Sequence, residues 1–120
     1  MKIKTLIISL LLGFALAPAG FAQDESVSGE VNSNCPTPDK PSIPDGRNST
    51  EGEMIEAQGQ MKSFIAEGNA YLECLAKLEK TYTSKDRKEL IIILHNKMVD
   101  EMNNVASLFN SAVRAFKGRK

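Results

Sequence analysis

The sequence predicts an all-α fold: an antiparallel hairpin of two long helices, preceded by a proline-rich extended arm that a disulfide staples to the first helix. Three observations lead to this prediction. Apolar residues recur every three or four positions over most of 50–117, which is the period of a helix. Prolines are concentrated just before that stretch. The chain has 2 cysteines, Cys35 in the proline-rich run and Cys74 within the first helical stretch.

Residues 1–22 have the pattern of an export signal. Lys2 and Lys4 make the start positive, an apolar stretch follows, and the segment ends in small residues. We therefore predict cleavage after Ala22 and a periplasmic location. The apolar stretch of about 13 residues is shorter than the roughly 20 that a spanning helix needs. We expect no stable membrane anchor after cleavage, and a retained anchor is the competing interpretation.

The charge of the mature chain argues against nucleic-acid partners. Cleavage removes two of the 15 basic residues and none of the 15 acidic ones, which leaves a net charge of −2. Nucleic acids attract proteins with a basic surface, so we expect no nucleic-acid partner. The remaining 98 residues form one domain at most.

The chain ahead of the helices divides into two segments. Residues 23–34 are polar and nearly devoid of apolar side chains, which predicts a disordered leader. Residues 35–49 form the proline-rich arm, with a turn at Asp45-Gly46. Three of its prolines recur every third residue, which is the period of one face of a polyproline helix: Pro38, Pro41 and Pro44.

The first helix is predicted over 50–81. Thr50 followed by Glu53 is the pattern of a capping box, which marks a helix start. The apolar residues of its core face are Met54, Ala57, Met61, Phe64, Gly68, Tyr71, Leu75 and Leu78, with Ile65 and Leu72 at the edge.

The second helix is predicted over 84–117. Thr83 or Ser84 can cap its start, and Gly118 ends it. So short a connection makes the two helices antiparallel neighbours. The residues of the core face are Ile91, Leu94, Met98, Met102, Val105, Phe109, Ala112 and Phe116.

An exported chain with an even number of cysteines most simply forms a disulfide, here Cys35–Cys74. Cys74 lies ~36 Å along the helix from its cap at 1.5 Å per residue. The segment from Cys35 to the cap spans ~46 Å at ~3.1 Å per residue when extended. The arm can therefore double back along the first helix. Two Cys and one His do not make four metal ligands, so we expect no metal and no other cofactor.

The side of the first helix that carries Cys74 also carries small residues. Glycine inside a helix is unfavourable by about 1 kcal/mol relative to alanine, so this track predicts a groove that another backbone approaches closely. We expect the arm to fill it, and a loose linker is the competing interpretation. The track consists of Gly52, Gly59, Ser63, Ala66 and Ala70, interrupted by Glu56.

The second helix is apolar over a wider arc than one neighbouring helix covers. The run Leu90–Leu94 is expected in the core beside the disulfide. The extra width predicts either a homodimer that forms a four-helix bundle or a hydrophobic groove for a periplasmic protein partner. The residues of this candidate interaction surface are Ile92, Val99, Ala106 and Val113.

The sequence contains no catalytic constellation. His95 has no Ser or Cys nucleophile one helical turn away on its face, so we predict no catalytic residues and no enzyme. Asn96, Asn103 and Asn110 recur every seven residues and are expected on a solvated face. The function predicted is a non-enzymatic periplasmic interaction or structural protein that self-associates or holds partner chains. The alternative is a small binding module, such as an inhibitor of an envelope enzyme or a carrier of an apolar ligand.

The motif "CPTPDKPSIPDG" at 35–46, together with "AYLECL", "HN" and "LFNSAVRAFK" in the helices, resembles a group of small exported proteobacterial proteins. In that group the pattern Cys-Pro-x-Pro-x-x-Pro-x-Ile-Pro-Asp-Gly precedes two helices. The resemblance covers 35–117 and implies an exported, two-helix architecture. It implies no activity and no functional residues, because none is established for the group.

Overall fold

The computed structural model describes residues 22–119. The predicted signal peptide, apart from Ala22, lies outside the described residues. Three helices follow in order: α1 (Ala22–Asn34), α2 (Glu51–Thr81) and α3 (Lys85–Gly118). Residues 22–119 contain no strand, so the predicted all-helical class is confirmed. None of these helices is both long and apolar enough to cross a membrane.

A capping box fixes the start of α2. The Thr50 hydroxyl accepts a hydrogen bond from the Glu53 N–H at 3.2 Å, and the Glu53 carboxylate accepts one from the Thr50 N–H at 2.7 Å. These two bonds satisfy backbone donors that have no partner within the helix. At the other end Tyr82 is extended and its N–H donates to the carbonyl of Glu79 at 3.1 Å. Helix α2 therefore begins and ends where the sequence predicts.

Helix α3 begins after a connection of only three residues, 82–84. Ser84 occupies the N-cap position, although its side chain makes no capping hydrogen bond. The helix continues to Gly118, where the sequence predicts its end, and Lys117 lies in its last turn. A basic side chain there interacts favourably with the negative end of the helix dipole.

Helices α2 and α3 pack side by side and run in opposite directions. At the end farthest from the connection, Met54 and Ala57 of α2 share an apolar cluster with Phe109 of α3. Toward the connection, Leu75 of α2 shares the larger cluster with Ile91 of α3. The start of α2 therefore lies level with the end of α3. We call the two extremities of the pair the connection end and the far end.

The segment between Cys35 and Thr50 contains no helix and runs beside both long helices. Cys35 is bonded to Cys74 of α2 with a Cα–Cα distance of 5.7 Å, so the predicted disulfide is confirmed. Ile43, midway along the segment, packs against both apolar clusters. From the disulfide the segment thus proceeds toward the start of α2, against the direction of that helix.

The segment ends in a turn at Asp45. The Asp45 carboxylate accepts hydrogen bonds from the Arg47 N–H and from the Asn48 side chain, both at 2.9 Å. A Cβ on Gly46 would overlap the carbonyl oxygen of Ala112 and lie 2.9 Å from the Phe116 nitrogen. Glycine is required here because the backbone of the turn rests directly on the backbone of α3.

The glycines of the small-residue track are not where a backbone approaches closely. A Cβ on Gly59 would have no heavy atom within 4 Å, and one on Gly52 would meet only the Thr50 hydroxyl oxygen at 3.9 Å. The arm does run beside this track, since Pro41 borders a groove with Gly59, but the prediction that its backbone approaches the glycines closely is wrong. The close contact is made instead by a glycine of the arm, Gly46, on the other helix.

Residues 23–34, predicted as a disordered leader, form most of helix α1 in the structure. The helix is polar, but Val31 is fully buried in the larger apolar cluster. The Cys35 N–H donates to the Val31 carbonyl at 2.7 Å, and Glu30 lies 3.4 Å from Arg87 of α3. Because Cys35 is bonded to α2, the residues before it are held near that cluster and one apolar side chain suffices to anchor them.

Candidate interaction surface

Residues 35–50 lie against one side of the α2–α3 pair. Thr37 borders a small cavity of ≈ 60 Å³ with Tyr71 of α2 and Leu94 of α3. Nearer the far end, Ile43 borders a groove with Ala112 of α3. Arg87, one seven-residue step before Leu94, binds Glu30 of α1 on this same side. We call this side the covered flank, with the residues Tyr71, Cys74, Arg87, Leu94 and Ala112.

The predicted interaction residues lie on the opposite side of α3. Ile92 precedes Leu94 of the covered flank by two residues, which is about 200° of helix rotation. Val99, Ala106 and Val113 follow Ile92 at seven-residue steps, close to two helical turns, so they continue the same line along α3.

Helix α2 contributes to the same side. Leu72 precedes Cys74 by two residues and Ile65 precedes Leu72 by seven, so both point away from the covered flank. Each packs in part against the larger apolar cluster while remaining half-buried. We call this side the open flank, with the residues Ile65, Leu72, Ile92, Val99, Ala106 and Val113.

The side chains of the open flank are only partly covered. Ile92 is 52% exposed, and the other five are half-buried because the neighbouring helix of the pair covers one edge of each. Among the described residues, α1 and the arm make their contacts on the covered flank. The open flank is therefore an apolar stripe along the pair that these two segments leave uncovered.

Uncharged polar side chains border the open flank on α3. Asn96, Asn103 and Asn110 are all exposed, as the sequence predicts, and they recur at the same seven-residue spacing as the apolar stripe. The middle of this edge therefore carries amide groups rather than charges. Depletion of charge around an apolar centre is a feature of protein–protein interfaces.

The run Leu90–Leu94, predicted as core, is divided by the helical period. Ile91 is buried, whereas Ile92 and Ile93 are 52% and 63% exposed. Ile93 lies on the outer face of α3, in a shallow groove with Asn96 and Lys97. The core interpretation thus holds for Ile91 and fails for Ile92 and Ile93, because successive residues of a helix leave it about 100° apart.

The described part of the chain offers few polar groups that could form a catalytic or metal-binding site. His95 is exposed on α3, and residues 22–119 contain no group of three or more acidic, histidine or cysteine side chains that could hold a metal ion. A groove of ≈ 380 Å³ beside the disulfide is lined by both cysteines and by Pro36, Pro38 and Tyr71. This groove is the feature closest to the ligand-binding alternative, although it is shallow and open to solvent.

Tyr82, in the connection, carries a buried polar group. Its hydroxyl has no hydrogen-bond partner, and the guanidinium of Arg87 lies 5.2 Å from the centre of its ring. Burial raises the pKa of Tyr82 above its ordinary value, and the negative charge of Glu30 raises that pKa further. The cluster of Glu30, Tyr82 and Arg87 holds α1 against the connection end.

Comparison with protein-family models, with curated proteins and with solved structures found no match for this chain.

Proposed function

We propose that this chain is a non-enzymatic interaction protein of the periplasm. In this proposal a helical hairpin is the scaffold, the proline-rich arm stapled by the disulfide stiffens one side of it, and the open flank binds other protein chains. The observation that carries the proposal is the open flank itself, an apolar stripe at seven-residue spacing with Ile92 52% exposed. A stripe with that spacing on a helix pair is the shape that a further amphipathic helix fits.

The disulfide supports export. Disulfides persist in oxidising compartments such as the periplasm and are rare where thiols are kept reduced. Cys35 is fully buried and paired with Cys74, so the bond is part of the packed structure. The exported compartment and the protein-binding role are consistent with each other, because envelope proteins meet their partners after folding and oxidation.

The distribution of apolar surface favours a protein partner over a small apolar ligand. A ligand of that kind is usually enclosed in a cavity that buries most of its surface. Here the exposed apolar residues of the open flank follow a line along two helices, and the groove beside the disulfide is open to solvent. An elongated apolar surface of this kind is complementary in shape to a segment of another protein chain.

The test compares two variants that place charges on different faces of α3. In one variant Ile92→Asp and Val99→Asp place charges on the open flank. In the control, Ile93→Asp places a charge on the outer face, at a residue that is 63% exposed. The mature oxidised chain and both variants are immobilised and exposed to the soluble chain and to periplasmic extract, and circular dichroism verifies that all three are folded.

We expect Ile92→Asp/Val99→Asp to lose at least about tenfold in binding, since a buried unpaired charge is strongly unfavourable at an interface. Ile93→Asp should bind as the unmodified chain does. If the same proteins are retained in the same amounts by all three forms, the open flank is not the binding surface and the proposal is refuted.

A further inference from the structure

We infer that the partner on the open flank is a second copy of this chain, related by a two-fold axis parallel to the helices. In this arrangement α3 of each copy faces α2 of the other and runs antiparallel to it, which gives a four-helix bundle. The inference rests on the proposed function, because it names the partner that the open flank binds. The evidence for a second copy is the sign of the charges at the two ends of the open flank.

The α2 side of the open flank is acidic at both ends. Extending the Ile65–Leu72 line by one seven-residue step in each direction gives Gln58 and Glu79, and one further step gives Glu51. Glu79 is half-buried beside the apolar stripe, and Glu51 lies in the first turn of α2. On this helix an apolar centre is therefore bounded by negative charges.

The α3 side of the open flank is basic at both ends. One seven-residue step before Ile92 is Lys85, and Lys88 lies on the next turn. Beyond Val113 comes Lys117, in the last turn of the helix. All three basic side chains are exposed. Each end of the pair thus presents an acidic edge on α2 and a basic edge on α3.

The positions of these charged residues along the helix axis follow from the antiparallel packing of α2 and α3. Glu79 and Lys85 both lie at the connection end, because only a few residues separate them. Glu51 lies at the far end together with the last turns of α3, since Met54 clusters with Phe109 and Ala112. A two-fold rotation about an axis parallel to the helices leaves the position of every residue along that axis unchanged.

Placing α3 of one copy against α2 of the other therefore pairs opposite charges at both ends. At the connection end, Lys85 and Lys88 face Glu79 of the second copy, and at the far end Lys117 faces its Glu51. Between them the apolar residues Ile92, Val99 and Ala106 face Ile65 and Leu72. The two interfaces of the dimer are equivalent, as a closed two-fold assembly requires.

The competing two-fold arrangement opposes like charges. If the axis were perpendicular to the helices, the connection end of one copy would lie at the far end of the other. Glu79 would then approach Glu51 of the second copy, and Lys85 would approach its Lys117. Like charges at close distance disfavour that arrangement, so the charge pattern selects the axis parallel to the helices.

The test reverses charges at the connection end only. One variant carries Glu79→Lys, a second carries Lys85→Glu and Lys88→Glu, and the control carries Glu73→Lys, an exposed residue about 180° around α2 from the centre of its buried face. The change at Lys85 also breaks its pair with Glu89 at 3.7 Å, an exposed pair of the kind that contributes little. Sedimentation equilibrium of the mature oxidised chain at low ionic strength gives the dimer Kd, and circular dichroism verifies folding.

We expect the unmodified chain and Glu73→Lys to dimerise alike, and each of the other two variants alone to show a Kd raised at least about tenfold. An equimolar mixture of those two variants should dimerise as the unmodified chain does. In the mixed dimer the substituted residues face one another with opposite charges at one interface, and the original opposite charges are paired at the other. Recovery in the mixture supports a second copy in this orientation.

Three results would overturn the inference. A Kd that falls in Glu79→Lys would indicate the perpendicular axis, and a Glu73→Lys defect equal to that of Glu79→Lys would indicate a non-specific charge effect. A monomeric unmodified chain would exclude the second copy as the partner. In that last case the proposed function still stands if binding of another protein is lost in Ile92→Asp/Val99→Asp and retained in Ile93→Asp.

Discussion

The two flanks of the α2–α3 pair carry similar apolar residues but differ in what lies against them. On the covered flank, Val31 and Cys35 are fully buried and the chain's own arm contacts both helices. On the open flank, Ile92 is 52% exposed and the residues around it are half-buried. A pair of helices buries only the seam between them. This chain covers one remaining side with its own N-terminal segment, and the other side is the one to which we assign a partner.

The largest effect is expected from removing the disulfide, which should disrupt the covered flank and spare the open one. The bond joins residues separated by 39 positions, and a closed loop of this length stabilises by roughly 4 kcal/mol in the chain-entropy model. Cys35→Ser/Cys74→Ser should lose about that much free energy of unfolding in urea titrations. Chemical reduction of the unmodified chain should give the same loss.

The same variant also tests whether the two flanks are independent of each other. At protein concentrations and temperatures where it is folded, its binding through the open flank should match that of the unmodified chain, because Ile92 and Val99 lie on the side away from Cys74. An unfolding midpoint unchanged by the double substitution would show that the arm is held without the bond.

The second effect concerns the replacement of glycine by alanine at two positions. Gly46→Ala introduces a Cβ that would overlap the Ala112 carbonyl oxygen, and backbone cannot move aside as a flexible side chain can. Overpacking of this kind usually destabilises by about 1–3 kcal/mol. Gly59→Ala places its Cβ in open space within a helix, where alanine is favoured by up to about 1 kcal/mol.

Urea titrations should therefore show the two alanine variants moving in opposite directions. Gly46→Ala should unfold at lower urea than the unmodified chain, and Gly59→Ala at higher urea. A loss of stability in Gly59→Ala similar to that in Gly46→Ala would mean that the arm rests on the small-residue track after all, as the sequence pattern predicts.

Much of the fold could be predicted from the sequence because its signals are local. The Thr50–Glu53 capping box and the helical period give the bounds of α2, and Gly118 gives the end of α3. The pairing of Cys35 with Cys74 follows from there being 2 cysteines. Each of these signals depends on neighbouring residues or on a count, and needs no knowledge of which surfaces meet.

The features that were missed depend on contacts between distant residues. Helix α1 is polar and has no amphipathic period; Val31 is anchored only because the disulfide holds the segment beside α2. The glycine that permits a close approach is Gly46 rather than Gly59, since the arm rests on α3. Composition cannot distinguish these two glycines, because the difference lies in what stands opposite each one.

The candidate interaction surface was predicted in part. The spacing of Ile92, Val99, Ala106 and Val113 places them on one line whatever the fold. The contribution of Ile65 and Leu72 requires knowing which side of α2 the arm occupies. The seven-residue spacing that runs from Glu51 to Glu79 is nevertheless visible in the sequence, and it is the signal that could have identified this edge.

A third and smaller effect concerns the far end of the covered flank. The Arg119 side chain donates hydrogen bonds to the carbonyls of Ser49 and Arg47, and its guanidinium lies 4.1 Å from the centre of the Phe116 ring. Arg119→Ala should cost about 1 kcal/mol in urea titrations, since it removes both types of contact.

Arg119→Lys serves as the matched control, because lysine keeps the charge but lacks the planar guanidinium that stacks on a ring. Its loss should lie between that of Arg119→Ala and none. Equal stability of all three forms would show that Arg119 contributes nothing to holding the arm, and that the contacts of Ile43 and Gly46 and the disulfide hold it.

The smallest effect is a dependence on alkaline pH at the connection end. Burial, followed by the charge of Glu30, raises the pKa of Tyr82 in the folded chain. Above the ordinary tyrosine pKa of about 10, the unfolded chain loses this proton while the folded chain keeps it. The unfolded state then binds fewer protons, so stability falls as the pH rises from that value through the raised pKa.

Tyr82→Phe isolates this contribution, because it keeps the ring beneath Arg87 and removes a hydroxyl that has no hydrogen-bond partner. At pH 7 the substitution should change the free energy of unfolding by less than about 1 kcal/mol. Between pH 9 and about pH 11 the unmodified chain should lose more stability than Tyr82→Phe. Parallel losses would place the Tyr82 hydroxyl in contact with water, and would show that α1 covers the connection end less completely than the arm covers the groove between the helices.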